Sequence, residues 1–517
     1  MTATLEAPPR DPVPSAADTG WRDRLLPVVD ARGGWLATAL IGLIAGLLRF
    51  VRLDIPAGRI FDEVYYSCDA QNLLRYGVEH DTVDGDGCVP EGTGAFVAHP
   101  PLGKWLIAIG LRLFGADEVG WRFSAAVAGT LTVVLVVRAG RRLTGSTLLG
   151  CLAGLLLALD GLHFVQSRVA MLDVFLVLWT TAAFACLVLD RDAVRRRLAA
   201  LPDDDLRGHG PALGLRPWLL VAGACLGAGT ATKWSALYSL AALGLLAFAW
   251  EVGARRTAGV PAPVRSTLRR SAVALVGGLV VLPALVYLVS WAGWFAGDLG
   301  WGRSWAEENP ASGVAALVPD GLRSWWHYHV EIFDFHDNLR TRHNYQSHVA
   351  GWLLLARPVS YYYPPNLVEG QMGCEVANCS REVLAIGTPA IWWATIPVVV
   401  ALLWLWVAER DWRAPAVLVP LAAGIVPWIR DDLDQRTMFL FYALPSVPFM
   451  CLGLALVAGR VVGGRTASPQ RRRVGAAAVG AYLSLVVVNF AYLYPVLAAQ
   501  TLPYDAWRDR MWFSSWI

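Results

Sequence analysis

The amino-acid sequence predicts an all-α polytopic membrane protein, and three observations carry that prediction. Hydrophobic residues make up 56% of the 517-residue chain and charged residues only 16%, against roughly 25% charged in a soluble domain. Mean hydropathy is +0.45, and a soluble chain of this length needs more polar surface than such a composition supplies. Apolar runs that suit a helix crossing ~30 Å of hydrocarbon recur along the whole length. A soluble enzyme, a disordered protein and a small disulfide scaffold are thereby excluded. The 44 basic and 41 acidic residues leave a net charge of +3, which carries no nucleic-acid signal.

Taken in order, residues 1–33 are polar and rich in Pro and Ala, and read as a disordered cytoplasmic tail. The first apolar run, from Trp35, has no small-residue cleavage site after it, so it reads as an uncleaved span. Spans are expected near 35–51, 121–140, 146–162, 169–189, 217–232, 235–250, 271–292, 389–408, 414–430, 436–459 and 474–495, eleven in all. Residues 101–115, PLGKWLIAIGLRLFG, imitate a further span. Lys104 and Arg112 would then both lie in hydrocarbon, which is costly, so this segment is expected as an amphipathic helix in the interface.

Charge favours an eleven-span orientation, although a twelve-span arrangement with the N-terminus outside also satisfies it. With 101–115 not spanning and the N-terminus inside, the Arg-rich connections 138–142, 190–216, 251–270 and 460–473 all fall on the cytoplasmic side, as does the tail. The expected organisation is a transmembrane catalytic domain over 34–495, with long external loops at 52–120 and 293–388, and an external C-terminal tail over 496–517. Loops of that length are usually functional. Four of the eight cysteines, Cys151, Cys186, Cys225 and Cys451, lie in apolar runs and read as small hydrophobes. Cys68 with Cys88, and Cys374 with Cys379, fall one pair in each external loop, where an oxidising compartment lets them join.

The chemistry gathers in the first of these loops. RIFDEVYY at 59–66 brings Asp62 and Glu63 to the outer face, and AHPPLGKW at 98–105 adds His99 and Lys104. Arg49 and Arg52 end the first span and Arg122 opens the second. An acidic pair beside a membrane is commonly a helix cap or a solvated turn. Two carboxylates, a histidine and several cations on one loop favour a reactive site instead. Only two residues of the chain are lysines, Lys104 and Lys233; coding bias accounts for the excess of arginine. His327, His329, His336, His343 and His348 tempt a metal reading, but without a Cys or Glu cluster their spacing makes a poor zinc signature. Asp160 and Asp173 lie in or beside apolar runs, where acids are functional candidates by default. An ion pair with Arg168 is the simpler account of Asp173.

These motifs resemble the protein O-mannosyltransferases, within the glycosyltransferase C fold class. The resemblance is carried by FDEVYY (61–66), HPPLGK (99–104), WRFSAAVAG (121–129), QSRVAMLD (166–173), TKW (232–234), HNYQSH with LLARP (343–358) and QRTMFLFYALP (435–445). The large soluble insert of fungal and animal members is absent, so the chain is similar to bacterial, and especially actinobacterial, members. The resemblance implies transfer of mannose from polyprenyl-phosphate-mannose to Ser or Thr hydroxyls of polypeptides crossing the membrane, with inversion, at the extracytoplasmic face of the plasma membrane. The secretion machinery is then an expected partner.

Such a reaction needs one general base, and inversion in a single displacement needs no covalent nucleophile. Asp62 is the candidate; adjacency leaves Glu63 as the alternative, and the resemblance favours Asp62. The phosphate leaving group is matched by cations through charge-assisted bonds. Arg49, His99, Lys104, Arg122, Arg168, Lys233, His343 and Arg436 are the candidates for binding donor phosphate or substrate. No cofactor and no metal is expected, because a monophosphate donor needs less neutralisation than a nucleotide diphosphate. Two other readings compete. One is a related enzyme moving a lipid-linked sugar to a lipid or polysaccharide acceptor. The other is a transporter, which predicts inverted repeats and charges at the midplane; neither is seen.

Overall fold

A computed structural model describes residues 32–82, 88–365, 367–464 and 466–517. The expected tail, 1–33, lies almost wholly outside the described residues. Eight helices among these residues are long and apolar enough to cross a membrane: Gly33–Phe50, Glu118–Thr144, Asp173–Ala199, Ala236–Thr257, Ala272–Ser290, Pro389–Val407, Leu440–Val462 and Pro469–Leu497.

Three of the eleven expected spans are shorter than the apolar runs suggested. They are helical over Thr147–Ala158, Pro217–Thr230 and Arg413–Ala423. Twelve residues rise only ~18 Å at ~1.5 Å each. Asp160 breaks the first of them. Its Oδ1 accepts from the backbone N–H of His163 at 2.9 Å, opening a new short helix at Gly161. Its Oδ2 accepts from Trp392 Nε1 at 2.8 Å and from the Thr388 N–H at 3.3 Å. Asp160 is thus a buried junction between helices. The segment 101–115 is a helix over Leu102–Phe114, as its amphipathic pattern implied.

Glu118–Thr144 packs against Arg32–Phe50, Thr147–Ala158 and Asp173–Ala199, and the last of these against Pro217–Thr230. Small residues let helices close up here. A Cβ on Gly223 would lie 1.7 Å from the carbonyl oxygen of Gly278, so this crossing accepts only glycine. On the periphery, Val273, Leu485 and Val488 are exposed, as lipid-facing side chains are.

Among the described residues, three two-stranded antiparallel ribbons stitch the long connections together. His80–Thr82 pairs with Pro90–Gly94, and Val359–Tyr362 with Val383–Ala385. Cys379–Ser380 pairs with Leu502–Pro503, which ties the C-terminal segment to the 293–388 connection. Both expected disulfides, Cys68–Cys88 and Cys374–Cys379, are formed.

Candidate active site

The FDEVYY segment enters its helix through a backbone turn that is costly for an ordinary residue. Phe61 has φ 49°, a left-handed conformation worth about 1–3 kcal/mol of strain in a non-glycine residue. Packing holds it there: its ring stacks on Tyr361 at 4.3 Å and meets Phe441 edge-on at 6.1 Å. The turn throws Asp62 and Glu63 into opposite roles. Glu63 opens the helix Glu63–Tyr76 and is fully buried. Its Oε1 accepts from Arg122 Nε and the Ala170 N–H, both at 2.9 Å. Its Oε2 accepts from Arg122 Nη2 at 2.9 Å and the Ile60 N–H at 3.0 Å. Asp62 stands at the helix N-cap, but its side chain caps nothing. Burial pushes its carboxyl up to about 6, with Lys233 pulling it down and Asp173 raising it.

Lys233, whose charge Asp62 feels, lines a cavity of about 360 Å³ together with His99, His336, Asp337, Arg430, Asp431, Arg436 and Tyr442 on its polar side; Asp62 does not itself line it. Trp234, Leu237, Phe333 and Trp428 supply an apolar wall. Lys233 Nζ lies 3.0 Å from both oxygens of Asp173 and 4.9 Å from the centre of the Tyr442 ring. Asp173 therefore pairs with Lys233 and not with Arg168, as sequence proximity had suggested. Arg436 donates from Nε to the His336 carbonyl at 2.9 Å, and Nη2 lies 3.2 Å from His336 Nδ1. His336 Nε2 lies 3.0 Å from the Ala98 carbonyl, so Nε2 carries the proton and Nδ1 accepts. Arg436 Nη1 is buried without a hydrogen-bond partner, its nearest carboxylate oxygen, on Asp431, 3.8 Å away. Burial lowers His336 to about 4, aided by Arg436, and lowers His99 well below its ordinary value, aided by Lys233. Two imidazoles thus lie among three cations, Lys233, Arg430 and Arg436, and two acids, Asp337 and Asp431, a lining that is net positive and suits an anion.

The other expected cations are committed elsewhere. Arg122 gives its remaining donors to the carbonyls of Leu53, Pro56 and Gly58. Arg168 donates to the carbonyls of Leu48, Arg49, Val51 and Arg52, closing the end of the first helix. Arg49 is fully buried, donating to the Ala45 carbonyl and meeting His163 Nδ1 at 2.8 Å. Lys104 is buried against Glu79 at 2.6 Å, Asp69 at 4.0 Å and the His99 carbonyl at 3.1 Å. Arg122, Arg168 and Lys104 brace the first external loop and the helix end before it, whereas Arg49 Nε is buried without a hydrogen-bond partner. His343 is exposed, its ring against Tyr345 and Phe439, and does not line the cavity. Sequence reasoning missed His336 and Tyr442 as cavity residues. His336 was one of five clustered histidines, and Tyr442 stood within the QRTMFLFYALP motif; neither carries a local signal that separates it from packing.

Residues 39–293 match the model of the dolichyl-phosphate-mannose-protein mannosyltransferases, and residues 321–420 the C-terminal four-helix region of protein O-mannosyltransferases. A polyprenol-phosphate-mannose–protein mannosyltransferase of Mycolicibacterium smegmatis is 41% identical, over 94% of each chain. The chain belongs to the protein O-mannosyltransferase family. The Mycobacterium tuberculosis member is 38% identical, over 98% of this chain and 95% of its own. The helical fold is shared more widely. The Saccharomyces cerevisiae protein O-mannosyltransferase Pmt1-Pmt2 complex bound to the sugar donor superposes with a TM-score of 0.72 at 17% identity, covering 98% of this chain and 94% of the yeast one.

Proposed function

We propose that this protein O-mannosyltransferase moves mannose from polyprenyl-phosphate-mannose to Ser or Thr hydroxyls of proteins, with Asp62 as the general base. The observation that carries the assignment is the division of labour between adjacent acids. Glu63 spends both oxygens on four donors, while Asp62 has a carboxylate free to accept a proton.

The acceptor hydroxyl attacks the anomeric carbon from the face opposite the phosphate and gives its proton to Asp62. The bond from that carbon to the phosphate oxygen breaks in the same displacement. Polyprenyl phosphate leaves, and a β-linked donor becomes an α-linked product. Lys233 and Arg436 meet the phosphate charge, since hydrogen bonds to ionised groups contribute most where water is excluded. The apolar wall of Trp234, Phe333 and Trp428 receives the first isoprene units of the carrier. With Lys233, Arg430 and Arg436 on the cavity wall for one monophosphate, the reaction runs without a metal. The positive-inside pattern puts the site on the extracytoplasmic face of the plasma membrane, where translocating polypeptides emerge from the secretion machinery.

The test is a transfer assay in membranes, with radiolabelled polyprenyl-phosphate-mannose and a Ser/Thr/Pro-rich peptide. Label is expected in the peptide, released by an α-mannosidase. Label found only in lipid or polysaccharide would favour the competing acceptor class.

A further inference from the structure

A second cavity, of about 470 Å³, lies on the other side of the strand Val359–Tyr362. Successive side chains of a strand point to opposite faces. Tyr361 stacks on Phe61 beside the catalytic acid, and Ser360 lines the second cavity. The segment closed by the Cys374–Cys379 disulfide contributes Asn378, and Glu382 follows it. The C-terminal segment completes the walls, held in place where Arg357 Nη1 donates to the Ile517 carbonyl at 2.8 Å.

The lining is aromatic and polar at once. Trp507, 4% exposed, forms the base. Tyr363 and Tyr504 flank it, with ring centroids 5.4 and 5.5 Å from the indole, and stand exposed at the rim. Glu382 is only 3% exposed, and its Oε2 accepts from Trp507 Nε1 at 2.7 Å, which fixes the carboxyl against the platform. Ser360 Oγ is buried beside the Glu382 carboxyl, whose proton affinity its hydroxyl lowers. Among the described residues, neither Lys nor Arg lines the cavity, so it is no phosphate site. Asn378, Ser360 and Glu382 set a polar side against the rings of Tyr363, Tyr504 and Trp507, and a hydroxyl-rich ligand with one apolar face answers both halves of this lining. A pyranose is such a ligand: its C–H face lies on aromatic rings while its hydroxyls meet carboxyl and amide groups.

We propose that this cavity is a carbohydrate subsite that holds a hexopyranose already attached to the acceptor polypeptide. That the sugar is mannose rests on the function proposed above. Burial pushes Glu382 up to about 7, so near neutral pH its carboxyl both donates to and accepts from sugar hydroxyls. None of these residues lines the catalytic cavity. The subsite therefore retains a modified chain for a second addition, lowering KM and leaving kcat alone.

The experiment uses the full chain in lipid nanodiscs. Methyl α-mannoside, without donor, is titrated against tryptophan fluorescence. KM is then compared for a Thr-rich peptide and the same peptide carrying one α-mannosyl-threonine. The mannoside is expected to quench the fluorescence, and the modified peptide to show a KM about tenfold lower, the worth of one or two hydrogen bonds. Glu382→Gln and Asn378→Ala should both abolish that preference while transfer to the unmodified peptide stays within about twofold. Equal KM for the two peptides, with loss of both in the variants, would make the cavity a polypeptide groove and overturn the proposal. Intact transfer without quenching would also overturn it. Quenching without any transfer to peptide would sink the mannosyltransferase reading and leave the subsite standing.

Discussion

Arg122 clasps Glu63 through two hydrogen bonds of 2.9 Å, one to each carboxylate oxygen, and neither side chain is exposed. The pair anchors the 52–120 connection to the start of the helix Glu118–Thr144. It also separates two acids that are neighbours in the chain, one bound on all sides and one left with its carboxylate free.

Substituting each acid in turn should therefore give different failures. Asp62→Asn keeps the shape and loses the basicity, so turnover at saturating donor should fall by ~10²–10⁴-fold, with folding and donor binding retained. Glu63→Gln leaves the Arg122 charge buried without its partner, a loss of about 3–5 kcal/mol, and should show first as a lower Tm. Near-full turnover in Asp62→Asn beside a folded but inactive Glu63→Gln would reverse the roles.

The rate should depend on pH through the same carboxyl. Asp62 titrates at about 6, raised by burial against the pull of Lys233, and only its ionised form accepts a proton. On the acid side kcat/KM should rise about tenfold per unit and level off above 6. Stability runs the other way. The folded chain holds this proton more tightly than the unfolded chain, where the value is about 3.9. That contribution is present at low pH and is lost between roughly pH 4 and 6. At neutral pH, Asp62→Asn should be at least as stable as the parent. A rate profile flat from pH 5 to 8 would point to another base.

Among the arginines, Arg436 is expected to matter for the donor and Arg168 for the fold. Arg436→Gln removes a guanidinium from the cavity wall and should raise donor KM by ~10–100-fold, the scale of one hydrogen bond to a charged group. Arg168→Gln releases four backbone carbonyls and should lower Tm before it changes KM. Equal donor KM in Arg436→Gln and the parent would remove Arg436 from the phosphate site.

Topology is open to a direct check. The strand Leu502–Pro503 is paired to Cys379–Ser380, so the C-terminus and the 293–388 connection share one side of the membrane. Reporter fusions at Ser347 and after Ile517 should both read external. Peptide mapping without reductant should recover Cys68 linked to Cys88 and Cys374 to Cys379. A C-terminal fusion that reads internal would overturn the orientation.

The sequence by itself determined the class of the molecule, because apolar run length and charge placement are local properties that a bilayer reads directly. It also determined the family, whose motifs are short and contiguous, and the cysteine pairs, which lie 20 and 5 residues apart. The tertiary structure alone decided which charges meet. Glu63 finds Arg122 at a separation of 59 residues, Lys233 finds Asp173 at 60, and Arg49 finds His163 at 114. Eight positions were credible ligands in the sequence because any cation near the loop suits an anion. In the folded chain Arg168 spends both terminal nitrogens on backbone carbonyls, whereas Arg436 lines the cavity. Only the packing of distant helices distributes those donors, because a buried polar group must take the nearest partner in space, whatever its place in the chain.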